Sequence, residues 1–134
     1  MSNICPKEED EQIAFVQWCH LQGIIVHHSG NEIGGSTGAM KARAVKMKKM
    51  GTSKGFPDLL LFLPITSLIT GDIDAYQPVA IEMKRTKGST TSKEQKEWLQ
   101  ILKMAGIPCA VCKGCEAAIE FVREQMFEIS GEDF

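Results

Sequence analysis

Two stretches decide the fold: Gly55-Phe56-Pro57-Asp58-Leu59-Leu60-Leu61-Phe62 and Val79-Ala80-Ile81-Glu82-Met83-Lys84. Each is an apolar run of strand length interrupted by a carboxylate. Continuous apolarity over 56–63 and 79–84 predicts two central strands, covered on both faces, with Asp58 near the start of the first. A carboxylate in such a strand is costly to bury unless it is paired or holds a metal. Side chains alternate along a strand, so Glu82 and Lys84 share a face and Met83 points the other way.

If the two strands are neighbours, Asp58 and Glu82 converge. Two carboxylates and a backbone carbonyl, that of Met83 being well placed, make a hard oxygen site for Mg²⁺ or Mn²⁺. Such an ion polarises a phosphate oxygen and activates water, and Lys84 beside it can orient the water and offset transition-state charge. The same residues can also form a buried ion pair between Lys84 and either acid, with no catalysis. The spacing alone leaves both open.

Outward from these strands the pattern is α/β. Apolar Ile13, Phe15, Val16, Trp18 and Cys19 recur at helical spacing over 8–22, and Gly23 is placed to end that helix. Residues 24–28 form a β-branched strand, 29–38 a loop, and 39–50 a helix rich in Lys and Met. The segment 64–78, with proline at each end, reads as a long connection ending in a hairpin partner. A helix over 92–105 closed by Gly106, a strand over 107–112 and a helix over 116–125 complete the chain. This order predicts an α/β sandwich, a small mixed sheet flanked by helices.

The bulk numbers limit the function. A chain of 134 residues is the size of one domain, taken here as 1–134, and its 43% hydrophobic and 24% charged residues are those of a globular protein. A formal net charge of −2 argues against coating nucleic acid by charge alone, though not against a local basic face. No run approaches the roughly 18–20 apolar residues of a membrane span, and the N-terminus has no signal-peptide core, so the expected location is cytoplasmic, without a membrane partner. Five cysteines in a reducing compartment are expected as free thiols. Cys109-Ala-Val-Cys112-Lys-Gly-Cys115 invites a zinc reading, but Cys109 and Cys112 would face opposite ways on a strand and no fourth ligand follows. No structural zinc is expected.

Gly55-Phe56-Pro57-Asp58-Leu59, Ile81-Glu82-Met83-Lys84, Lys87-Gly88 and Ser92-x-x-Gln95-x-x-Trp98-x-x-x-Leu102-x-x-x-Gly106 together resemble the VRR-NUC branch of the PD-(D/E)xK nuclease superfamily, over about residues 8–111. The resemblance implies a restriction-endonuclease-like αβββαβ core and divalent-metal-dependent phosphodiester hydrolysis. It puts Asp58, Glu82 and Lys84 in the catalytic positions, with Asp58, Glu82 and the Met83 carbonyl on the metal. The insertion over 65–77 is longer than a minimal member needs.

The resembled pattern also carries a glutamate four residues before a glutamine and ten before a tryptophan, which Glu8, Gln12 and Trp18 fit. Glu8 is therefore a catalytic candidate, preferred to Glu9 and Glu11. All of these acids also suit the positive end of a helix. Ser92 and Gln95 form a capping-box pattern, while the resemblance places that glutamine near the active site; both readings stand. Asn31-Glu32 matches a family signature on a loop, where a turn-forming Asn is the alternative. His27 and His28 alternate faces, so one at most can reach the site, and the expected state is structural.

Lys41, Arg43, Lys46, Lys48, Lys49 and Lys54 lie in a stretch, 33–57, that contains no acid. Together with Asn31 and Lys87 they are the expected DNA contacts, giving salt-dependent affinity. The bland alternative is a solvated face.

The expectation is a stand-alone nuclease acting on DNA. Small stand-alone members of the resembled family look like homodimers that cut four-way (Holliday) junctions, and Ile65, Leu68 and Ile69 are apolar enough to line such an interface. The competing reading is an inert nucleic-acid-binding module of the same fold, against which the intact Asp58, Glu82 and Lys84 argue. A zinc or redox sensor built on the cysteines is a third class.

Overall fold

A computed structural model of the chain describes residues 5–30 and 37–131. The order is α1 (Glu8–Leu21), β1 (Ile25–His28), α2 (Gly38–Lys49), β2 (Leu59–Thr66), β3 (Ile73–Lys84), α3 (Lys93–Met104), β4 (Cys109–Lys113) and α4 (Cys115–Ser130). The strands form one sheet in the order β1-β2-β3-β4, antiparallel except for the parallel β3–β4 pair. The expected α/β sandwich with a mixed sheet is what forms.

The two faces of the sheet are built differently. Leu59, Leu61 and Leu63 of β2 and Val79, Ile81 and Met83 of β3 are fully buried on one face, against Phe15 and Cys19 of α1 and Ala118 and Val122 of α4. Arg123 of α4 lies 6.0 Å over the Trp18 ring of α1, tying these helices together. The opposite face is smaller: Ala80, Leu102 and Cys109, with Phe56, Leu60 and Leu99 packed on them, seat α3. Cys109 and Cys112 of β4 fall in these two separate clusters, as strand alternation requires.

The segment 64–78 corrects the sequence reading. It is a β-hairpin, not a connection: β2 runs on to Thr66, β3 begins at Ile73, and both prolines sit within ladder register, at Pro64↔Tyr76 and Phe62↔Pro78. Proline lacks an N–H, so it fits only where no ladder bond is needed. Even-numbered β3 residues point their N–H toward β4, as Ala80 N donating to Pro108 O at 3.0 Å shows, and β4 pairs no further back than Ala80. Even-numbered β2 residues face β1, which pairs no further than Phe62. Each proline therefore projects past the end of the neighbouring strand. The tip, from Ser67 to Asp72, is closed by Ser67 N donating to Asp72 O at 2.8 Å.

Helix α2 stands apart. Thr37 caps its start by accepting from Met40 N at 3.1 Å, yet none of its residues is buried. No described helix is long and apolar enough to cross a membrane.

Candidate active site

Leu59 pairs with Ile81, so one step further along the same antiparallel register Asp58 stands opposite Glu82. Even-numbered positions here are the non-hydrogen-bonded sites of the ladder, where opposed side chains come closest. Asp58 reaches along the sheet rather than away from it: its Oδ2 accepts the Met83 N–H at 2.8 Å. Both acids point to the α3 face, because their neighbours Leu59, Ile81 and Met83 fill the core on the other.

Glu82 is 3% exposed and is the one buried charged side chain among the described residues. Its carboxyl pKa is raised to about 9. Burial is the first cause, followed by the hydrogen bond to Asp58 and the charge of Asp58; Lys84 works in the opposite direction, and Glu8 adds to the rise. Glu82 thus holds its proton at neutral pH in this poorly solvated corner beside Asp58. Half-buried Lys84 lies two residues on, on the same face.

Gln95 joins this pair to α3. Its Oε1 accepts from Ser92 N at 2.8 Å, its own N–H donates to Ser92 Oγ at 3.2 Å, and its Nε2 donates to Glu82 Oε1 at 2.7 Å. One side chain thus closes the capping box and holds the Glu82 carboxylate of β3.

The acids at the start of α1 separate. Glu8 is the one whose charge is felt at Glu82. Glu11 instead accepts the Cys115 N–H at the start of α4, where Gly114 (φ 93°) leaves room that a Cβ would fill against Thr86 and Glu11.

Three features of the site escape a reading by motif. Ser29 Oγ donates to Pro57 O at 2.8 Å and to Asp58 O at 3.3 Å, pinning the approach to β2. Gly55, at φ +88°, brings its loop so close to α3 that a Cβ would lie 2.6 Å from the Glu94 backbone and 2.7 Å from Gln95 N. Phe56 and Trp98 meet edge to face at 5.1 Å. Gly55, Phe56 and Trp98 lie within the quoted motifs, which give them no role; Ser29 carries no signal of its own. His27, expected to be structural, is exposed on the α3 face opposite Leu60.

The expected DNA contacts are dispersed. Lys41, Arg43, Lys46, Lys48 and Lys49 are exposed along α2, and Lys87 is exposed just past β3. Lys54 pairs with Glu94 at 3.9 Å and helps hold that carboxyl below its usual range, second to Glu94's own backbone hydrogen bond. Asn31 lies outside the described residues.

The donor set suits a hard divalent cation. Among the described residues no three His, Cys, Asp or Glu side chains gather. Mg²⁺ commonly takes only one or two carboxylates and completes its shell with water and phosphate oxygen. The Met83 N–H faces Asp58, so its carbonyl faces the same side, where the register places Pro57, which has no N–H to donate. That oxygen faces the start of β2, where Asp58 stands opposite Glu82.

The family model of the VRR-NUC domain matches residues 5–116. A solved structure described as a VRR-NUC domain protein superposes with a TM-score of 0.65, at 23% identity, covering 96% of this chain and 93% of that chain. At that identity the likeness speaks for the fold. Comparison with curated proteins finds no match.

Proposed function

The chain belongs to the VRR-NUC domain family, whose fold is of nuclease type, and from that premise we propose that it is a divalent-metal-dependent DNA nuclease. The observation that carries the reading is Asp58 opposite a buried Glu82 across β2 and β3, with Lys84 on the same face. An inert module has no need to keep a buried carboxylate at such an energetic disadvantage.

Asp58, Glu82 and the Met83 carbonyl would hold Mg²⁺ or Mn²⁺. When bound, the ion supplies Lewis acidity and positive charge to the scissile phosphate. Gln95 holds the Glu82 carboxylate in one orientation, as partners behind a metal ligand do. Lys84 orients the attacking water and offsets the charge that builds on the phosphate oxygens. Glu8 adds negative charge at the outer side of the site, and the cations of α2, with Lys54, Lys87 and Asn31, hold the phosphate backbone.

The substrate reading is finer. A four-way junction is close to two-fold symmetric, so a homodimer would present two equivalent sites to opposing strands. Leu68 and Ile69, both almost fully exposed at the hairpin tip, support an interface there, since they cover no core of their own chain; Ile65 is half-buried beneath them.

The test is a cleavage panel of single-stranded, duplex, flapped and four-way-junction DNA with Mg²⁺ or Mn²⁺. Cleavage that chelator abolishes, with paired symmetric cuts on the junction, is expected. No cleavage of any substrate would overturn the reading.

A further inference from the structure

A cleft of about 490 Å³ opens beside the two carboxylates, bounded by His27, Ser29, Thr52, Ser53, Phe56 and Trp98. Three of its lining residues connect it to the carboxylate pair. Ser29 is the residue that pins the Asp58 backbone, Phe56 lies two residues before Asp58, and Trp98 follows Gln95 by three residues, on the same face of α3.

The lining has a definite chemistry. Phe56 and Trp98 supply aromatic surface, the hydroxyls of Ser29, Thr52 and Ser53 and the His27 imidazole supply hydrogen-bonding edges, and among the described residues no Lys, Arg, Asp or Glu contributes to the wall. Such a surface suits a flat neutral ring with polar edges, and it brings no Lys or Arg charge to a phosphate. A nucleic-acid strand alternates these two kinds of group. The carboxylate edge and Lys84 take the charged one, and the cleft next to them is built for the other.

Resting on the nuclease reading, we propose that this cleft binds one unpaired nucleobase of the substrate, adjacent to the scissile phosphate, by stacking on Trp98. Within a duplex the bases already stack on one another, so the occupant is a nucleotide at a junction, flap or bulge, or one turned out of its stack. The cleft therefore selects for branched or single-stranded DNA within a single protomer, independently of any dimer.

The test uses the full chain and flapped DNA in which each unpaired nucleotide near the mapped cut is replaced in turn by an abasic residue. For the wild type, kcat/KM is expected to fall about tenfold or more at one position within a nucleotide or two of the cut, mostly through KM, in line with the usual strength of base–aromatic stacking. Trp98→Leu should cut intact DNA more weakly and lose that discrimination, and Trp98→Phe should retain it. The abasic scan on wild type stands even if Trp98→Leu does not fold. Cleavage that is indifferent to every abasic position, or a folded Trp98→Leu that discriminates as well as wild type, overturns the inference alone. Absence of cleavage with any DNA overturns the nuclease reading and this inference with it.

Discussion

The amide of Gln95 donates to Glu82 at 2.7 Å while its oxygen accepts from the backbone of Ser92, so the start of α3 and strand β3 are held by one side chain. Glutamate also completes a capping box but cannot donate. Gln95→Glu should therefore keep the helix start while placing a third carboxylate against Glu82. A folded protein whose cleavage falls about 10–100-fold is expected, the usual cost of losing a partner behind a metal ligand. Gln95→Ala should lose cap and partner together, lowering thermal stability as well. Circular dichroism and cleavage rates on both variants check the division.

Asp58→Asn, Glu82→Gln and Lys84→Ala are each expected to abolish cleavage without unfolding the chain. Asp58→Asn keeps an oxygen for the Met83 N–H. Glu82→Gln removes a buried acid but preserves its shape. Full activity in a folded Glu82→Gln protein would remove the assignment.

Glu82 also sets a pH dependence. Its carboxyl has a pKa of about 9 in the folded chain against 4.5 ordinarily. Between these values the folded state binds more protons than the unfolded one, so stability is full below about 4.5 and is lost as pH rises through 9. With chelator present, the melting temperature should fall from pH 5 to pH 9, by roughly 3–6 °C per kcal/mol lost. Glu82→Gln should flatten that slope. Saturating Mg²⁺ should flatten it too, because the cation takes the proton's place, and Mg²⁺ affinity should rise with pH.

The parts of this site that the sequence reveals are those whose physics is local. Asp58, Glu82 and Lys84 stand out because a charge within an apolar strand is rare, and alternation alone puts Glu82 and Lys84 on one face. The hairpin over 66–73 does not stand out. Its strands carry Pro64, Asp74 and Pro78, and the prolines are tolerated because β1 and β4 stop short, a tertiary fact. The part that Glu11 plays is equally hidden, since its partner is the start of α4, 104 residues away. Helix α4 runs past 125 to Ser130 because Gly131 (φ 74°) supplies the left-handed cap there.

Helix α2 buries none of its residues, so its cations can be removed without cost to the core. Replacing Lys46, Lys48 and Lys49 together by alanine should leave the melting temperature within about 1 kcal/mol of stability, as surface changes do. DNA binding should weaken, and the slope of log K against log salt should become shallower by up to about 3, one contact per lysine. Fluorescence anisotropy at several salt concentrations reads both. An unchanged slope would make this helix a solvated face and move the DNA elsewhere.

The exposed apolar tip of the hairpin is where the proposed assembly can be tested. Leu68 and Ile69 are 104% and 95% exposed, so within one chain they contribute nothing to packing, and their removal cannot open a cavity. Replacing both by serine should therefore leave the melting curve of a monomer unaltered. In a homodimer built through this hairpin the same change exposes no new core but removes the apolar contact, so light scattering during size exclusion should show a pair for wild type and a single chain for the variant. The dimer also links to the cutting pattern, because two equivalent sites produce paired incisions only while they are joined. The double variant should still nick DNA, as each protomer keeps its own Asp58, Glu82 and Lys84, but its cuts on a four-way junction should become unpaired. A wild type that runs as a monomer at micromolar concentration would end the dimer proposal and leave each chain to act alone.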